Sequence, residues 1–284
     1  MSQIMSNVLD VQNLVVEYRG HTTVRAVDGL SLTIKAGEVL ALVGESGCGK
    51  SSTARAVVGM ERPHDGEIAF RGRAMPPLGL RRRPVELTAI QMVFQDPNSS
   101  LNPRKRVGAQ IADGVAAAQA RGLASDTPAA WIAAVGLNPA MVSRYPHQLS
   151  GGQRQRIAIA RALAAQPNLL VADEPISALD ASSQASVAAM MRRLCLEAEA
   201  GMLFISHDLS VVRIMADRVA VMYRGRIVES GPTATVWSDP VHPYTRALLA
   251  AIPHPDGRGV LPAAPAAEAP EEWRLELPEA LERS

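Results

Sequence analysis

The chain has 284 residues, 47% of them hydrophobic and 20% charged, which describes a globular protein with one large or two modest cores and excludes a disordered or fibrous one. Twenty-nine basic against twenty-eight acidic residues leave a formal charge of +1, so the bulk balance argues for no nucleic-acid partner. No apolar run reaches the roughly 18 residues that cross a bilayer and the first ten residues lack signal-peptide order; two cysteines, Cys48 and Cys195, are too few for a disulfide framework, a four-cysteine zinc site or an all-cysteine iron-sulfur cluster, so a reducing cytoplasm is expected.

Along the chain, "LDVQNLVVEY" and "LSLTI" alternate as half-buried strands do. "GEVLALVGESGCGKSSTARAVVG" then reads as an apolar strand, a glycine loop and a helix. Residues 98–165 are rich in alanine and arginine, and "AQIADGVAAAQA" and "PAAWIAAVGL" are the predicted helices of an inserted subdomain. Two more apolar runs, "LLVADEP" and "MLFISHD", end in polar residues, and "RVAVMYRGRIVESG" is strand-like. Parallel strands joined by helices, an α/β core, follow from this order. The principal domain is expected to span 6–255. Residues 256–284, dominated by proline, alanine and glutamate, offer little apolar area against chain entropy and are expected to be mobile, with Trp273, Leu275 and Leu277 able to dock locally. No internal repeat is visible.

Gly44, Gly49, Lys50 and Ser51 fill the pattern G-x-x-x-x-G-K-[ST] in the strand-loop-helix setting that a phosphate-binding loop requires. Backbone N–H groups of Glu45, Ser46, Gly47, Cys48, Gly49, Lys50 and Ser51 are expected to close around phosphate oxygens at a helix N-terminus. Lys50 would bridge the terminal phosphates and Ser51 would offer its hydroxyl to Mg²⁺. At the end of "LLVADE", Asp173 is placed to hold the metal through water and Glu174 to orient or deprotonate an attacking water. A D-E pair after a strand is otherwise a simple loop start. Cys48, near the helix N-terminus, is expected to be a reactive thiol whose alkylation disables the loop.

A second glycine stretch, "LSGGQ" at Leu149 to Gln153, has no lysine after it and no second acidic strand end to serve it. Ser150, Gly151, Gly152, Gln153 and a helix expected to begin near Gln153 can present hydroxyl and N–H donors to a phosphate from one side only. This is half a site.

In chain order, "GESGCGKS", "LSGGQ", "LLVADE", "SALD" at Ser177 to Asp180, and His207 resemble the ATP-binding subunit of an ABC transporter. The resemblance covers about Val8 to Pro253 and implies a P-loop NTPase core with an N-terminal antiparallel β-subdomain and an inserted α-helical signature subdomain. It implies ATP and Mg²⁺ as cofactors. It also implies a head-to-tail dimer, with an identical copy or a sister ATPase, in which the signature of one unit covers the γ-phosphate held by the other. By the same resemblance Tyr18 stacks on adenine, Gln95 touches Mg²⁺ and the water, His207 contacts the γ-phosphate and Asp180 couples the two sites. Each has a plainer role available: strand packing for Tyr18, a turn for Gln95, a helix start for His207 and an N-cap for Asp180. Ser52 stands where threonine is common and keeps the hydroxyl.

"MVFQDPNSSLNPRKRV", "RYPHQLSGGQRQRIAIARAL", "ADEPISALD" and "DPVHPYTRALLAAIP" narrow the resemblance to ATPases of the oligopeptide, dipeptide and nickel importer group. That group implies two transmembrane permeases, an extracytoplasmic substrate-binding protein and a peripheral position on the cytoplasmic face of the cell membrane. The implied cargo is peptide, with nickel as the alternative. Two cysteines cannot build the four-cysteine iron-sulfur site of some relatives. The rival class, a soluble ABC ATPase of DNA repair or translation, usually joins two units in one chain or carries a long coiled coil, and neither is present. A non-catalytic interaction module is disfavoured by intact Lys50, Asp173, Glu174 and His207. "RRRP" and "RKR" read as solvated surface; the alanine-rich helices read as plain core or as a groove for a membrane partner's helix, and the Gln95 loop that feeds them favours the groove.

Overall fold

The computed structural model describes residues 7–20, 22–76, 84–96, 100–177, 179, 181–252 and 281–282. Strands β1 (Asn7–Arg19) and β2 (Thr23–Lys35) form a long antiparallel pair. The chain then enters β3 (Val39–Val43), the phosphate-loop pattern and helix α1 (Lys50–Val57). It returns through β4 (Asp65–Phe70) and β5 (Arg73–Ala74), giving a four-stranded antiparallel sheet in the order β2-β1-β4-β5. This is the expected N-terminal β-subdomain.

The second sheet carries the α/β core. It contains β3, β6 (Ile90–Val93), β7 (Leu169–Asp173), β8 (Gly201–Ile205), β9 (Arg218–Tyr223), β10 (Arg226–Pro232) and β11 (Leu281–Glu282), in the order β11-β10-β9-β3-β8-β7-β6. From β9 to β6 all neighbours are parallel, as crossover connections demand. The two-residue period of a strand divides the core into two layers. Val39, Ala41 and Val43 of β3 face one cluster with Leu170, Ala172, Met202 and Phe204. Leu40 and Leu42 face the other with Leu169, Val171, Leu203, Ile205 and the buried face of the β-subdomain. A strand buried on both faces has no polar alternation, which is why these segments read as continuous apolar runs.

Between β6 and β7 lies the helical insertion: α2 (Val107–Gln119), α3 (Pro128–Ala134) and α4 (Gly151–Ala164). Thr127 caps α3 by accepting the Ala130 N–H, with Pro128 at the first helical position. Helices α2 and α4 touch backbone to backbone at Gly114, where a Cβ would overlap the Arg161 carbonyl. Four further helices follow among the described residues: α5 (Ala181–Glu197), α6 (Leu209–Met215), α7 (Thr233–Ser238) and α8 (Pro243–Ala250).

Of the segment 256–284, residues 281–282 are described, and they pair in parallel with Glu229 and Ser230 of β10. Its composition predicts no strand. Trp273, Leu275 and Leu277 lie outside the described residues. Among the described residues no helix is long and apolar enough to cross a membrane.

Candidate nucleotide site

The C-terminal ends of β3, β8, β7 and β6 lie side by side, so four loops open on one edge of the sheet, where open α/β sheets bind ligands. The loop after β3 is held in shape by its glycines. Gly44 and Gly49 have φ of 150° and 113°, and a Cβ on either would overlap a carbonyl, Met222 O behind Gly44 and Ala26 O behind Gly49. No side chain larger than glycine fits there.

Lys50 is buried, and its ammonium donates to Gly44 O and Glu45 O, both at 2.8 Å. Ser51 Oγ donates to Asp173 Oδ1 at 3.2 Å. Burial pushes the Asp173 carboxyl above its ordinary value, and the Ser51 hydrogen bond offsets part of that rise. The two oxygens that could hold magnesium are therefore already together, in a place where a cation would favour the carboxylate.

Glu174 follows with φ 47°, a left-handed conformation uncommon outside glycine. Its N–H donates to Ile205 O at 3.0 Å and its carbonyl accepts from Ser177 Oγ at 3.0 Å, so the unusual backbone is fixed from both sides. The turn aims the carboxylate at two partners from other strand ends. Gln95 Nε2 donates to Glu174 Oε2 at 2.7 Å, and His207 Nδ1 lies 3.3 Å from Glu174 Oε1. Tyr18, at the end of β1, donates its hydroxyl to Ser52 Oγ at 3.1 Å.

The Leu149–Gln153 stretch is elsewhere in the chain's architecture. Among the described residues no hydrogen bond joins Ser150–Gln153 to Gly44–Ser52. Ser150 Oγ accepts the Gln153 N–H at 3.3 Å while Gln153 Oε1 accepts the Ser150 N–H at 3.0 Å, a capping box. This corrects the helix start: α4 begins at Gly151, so both glycines lie inside its first turn.

Residues 27–177 match the family model described as ABC transporter. The chain belongs to the ABC transporter family. It is accordingly an ABC ATPase that binds and hydrolyses ATP as a transporter subunit. Residues 228–274 match a second family model, the oligopeptide/dipeptide transporter C-terminal region. The oligopeptide transport ATP-binding protein OppF of Bacillus subtilis is 45% identical over 260 residues, 90% of this chain and 85% of the relative. The di/tripeptide transport ATP-binding protein DppF of Pseudomonas aeruginosa is 45% identical over 263 residues, 89% of this chain and 81% of the relative. A solved dimeric ATP-binding cassette in a post-hydrolysis state with ADP and Pi superposes with a TM-score of 0.68 at 26% identity, covering 79% of this chain and 98% of that one.

Within this ABC ATPase the sequence-predicted residues fall into groups. Lys50, Ser51 and Asp173 meet at one end of β3 and β7, and Gln95, Glu174 and His207 meet beside them. Ser150 to Gln153 stand apart, and Asp180 lies outside the described residues. Two expectations need correction. The Glu45 N–H, expected among the phosphate donors, donates instead to Tyr244 Oη at 2.9 Å. Cys48 is buried and burial pushes its thiol up, with Lys50 offsetting only part of the effect, so the loop does not hold it as a thiolate.

Sequence reasoning also missed supporting residues. Buried Gln155 of α4 donates to Phe94 O at 3.4 Å and so ties the signature helix to the loop that bears Gln95. Gly225, in the β9-β10 turn, donates its N–H to Cys48 O at 2.9 Å. Tyr244 touches the phosphate loop across 199 residues of sequence, a distance over which no local pattern could have signalled contact.

Proposed function

We propose that this ABC ATPase energises peptide import, as one of two ATPase units on the cytoplasmic face of a pair of permeases served by an extracytoplasmic substrate-binding protein. The names of the relatives and the match to the oligopeptide/dipeptide C-terminal region support peptide over nickel. A cleft of about 290 Å³ lined by Met60, Met92, Phe94 and Ala117, next to the Gln95 loop, supports docking of a permease helix between core and helical subdomain. On this reading the ATPase domain spans 6–255, with its helical subdomain at 98–165, and 256–284 is the C-terminal segment that follows it.

The observation that carries the site assignment is the meeting of Gln95 and His207 on the Glu174 carboxylate beside the Ser51–Asp173 pair. N–H groups from Ser46 to Ser51 and the Lys50 ammonium bind the phosphates, and Tyr18 stacks on adenine. Ser51, Gln95 and, through water, Asp173 would hold Mg²⁺, which would supply charge neutralisation at the phosphates. Glu174 takes a proton from the attacking water, Gln95 orients that water and His207 steadies the γ-phosphate. Ser150, Gly151, Gly152 and Gln153 of the other unit close the site, with Asp180 coupling the two halves. Positioning and charge stabilisation do most of the catalysis.

The test is Glu174→Gln. ATP hydrolysis is expected to fall roughly 10²- to 10⁴-fold, the range for a positioned general base, while ATP binding persists and an ATP-loaded dimer accumulates. A variant that turns over at the parent rate would remove Glu174 from the chemistry. Tagged, loaded with ATP and recovered from solubilised membranes, the same variant is expected to carry permeases and a second ATPase. Recovery with ribosomes or repair proteins would instead favour the soluble class.

A further inference from the structure

The region matched by the oligopeptide/dipeptide model reaches back to the nucleotide loop through a short chain of contacts. Glu229 of β10 is fully buried, and its two oxygens accept the N–H groups of Val241 and His242, each at 3.0 Å. That fixes the start of α8. His242 Nδ1 then accepts the Tyr244 N–H at 3.1 Å as the helix cap. One residue in from the helix start, Tyr244 is 1% exposed, with its ring packed on Tyr223 at 4.5 Å between centroids. The hydroxyl accepts the Glu45 N–H.

The Gly44–Glu45 peptide is engaged at both ends. Its N–H donates to Tyr244 Oη at 2.9 Å and its C=O accepts from Lys50 Nζ at 2.8 Å. In a planar trans peptide these two groups point in opposite directions within one plane. Turning the plane away from Tyr244 therefore also swings the carbonyl away from the ammonium. Burial raises the Tyr244 hydroxyl well above the ordinary tyrosine value, so it stays neutral and keeps its acceptor role without adding charge behind the loop.

We propose that Tyr244 is a positioning residue of the phosphate loop: by holding the Gly44–Glu45 peptide it orients Lys50, and the C-terminal region thereby sets nucleotide affinity. It rests on Lys50 being the lysine that meets phosphate. Tyr244 itself touches no nucleotide. Its hydroxyl works on the Glu45 N–H, outside the Ser46–Ser51 stretch proposed above to bind phosphate.

The experiment uses the full chain and titrates ADP into Tyr244→Phe, Lys50→Ala and the double variant, with thermal melts with and without ADP. Phenylalanine keeps the ring packing and removes one oxygen. Loss of one neutral hydrogen bond is expected to weaken ADP binding about five- to tenfold and to shrink the ADP-induced rise in Tm. In the Lys50→Ala background the same change is expected to add less than twofold, because its effect travels through Lys50. Thr245→Val, which removes a neighbouring buried hydroxyl that has no hydrogen-bond partner, should leave ADP affinity within twofold. Tyr244→Phe within twofold of the parent would overturn the inference, as would an equal loss in both backgrounds, the mark of a merely structural residue. A neutral Lys50→Ala would sink the phosphate role of Lys50 as well, whereas a weakened Lys50→Ala with a neutral Tyr244→Phe sinks the inference alone.

Discussion

The two glycine-bearing corners of this ABC ATPase are built on opposite plans. At Gly44–Ser51 the loop is walled by its own chain, with Met222 and Ala26 carbonyls against its glycines and Gly225 and Tyr244 bonded to its backbone. At Leu149–Gln153 the donors stand at the start of α4, where Ser150 and Gln153 close a capping box on each other. Gly151 shows the contrast at one atom: a Cβ there would meet nothing within 4 Å. A loop that must grip phosphate alone needs a backing from its own fold. That contrast fits the proposal that what the signature faces belongs to another molecule.

The contrast can be broken by exchanging binding for turnover. Lys50→Ala should weaken ATP binding by the isolated chain about 10- to 100-fold, the scale of a charge-assisted hydrogen bond set. Ser150→Ala should leave that binding within twofold and cut steady-state ATPase activity at least about tenfold, although it also removes a helix cap worth ~1 kcal/mol. If both variants lose binding equally, the signature serves its own chain and the comparison collapses.

Glycine replacements sharpen it next. Gly44→Ala forces a side chain into a left-handed position and into a carbonyl, so thermal unfolding should report a loss of about 2–4 kcal/mol. Gly151→Ala gains helix propensity of up to ~1 kcal/mol and should melt at or above the parent temperature, yet hydrolyse ATP more slowly. A glycine that its own fold does not need is then needed by the partner's nucleotide. Gly152 is intermediate, since its Cβ would meet Leu179 Cδ2 at 2.9 Å, the movable tip of a side chain.

The smallest expected effect concerns Cys48. Burial has raised its thiol and Lys50 Nζ lies 3.7 Å from Sγ. Maleimide labelling near neutral pH should run at least about threefold slower than for a free thiol and accelerate as pH rises through the thiol's range. Labelling at the free-thiol rate would show that the loop opens more readily than its hydrogen bonds imply.

What the sequence made legible is what its chemistry keeps local. Gly44 to Ser51 and Asp173–Glu174 are contiguous strings whose spacing is set by a turn, and the continuous apolar runs of β3, β7 and β8 announce strands buried on both faces. The β-subdomain was legible only by half: β1 and β2 alternate, but β4 opens on "DGE" and β5 is two residues long. β6, at four residues, is too short to show a period, and its place is set by pairing with β7. The meeting of Gln95 and His207 on Glu174 joins three loops that only the sheet order brings together. Tyr244 and Gln155 act on backbone atoms of distant segments, and backbone atoms leave no trace in a pattern of side chains.

The Gly114 contact limits how this molecule can deform. Packed helices ordinarily slide because their side chains change rotamers, as a layer of bearings between two shafts. Between α2 and α4 that layer is missing where Gly114 lies against the Arg161 carbonyl and Ala164. At that point α2, whose residues Asp113, Gly114 and Ala117 line the cleft beside the Gln95 loop, has little room to move without α4, and α4 starts at Gly151 with Ser150 as its cap. One missing side chain thus leaves the cleft and the signature at two ends of a single tightly coupled helix pair.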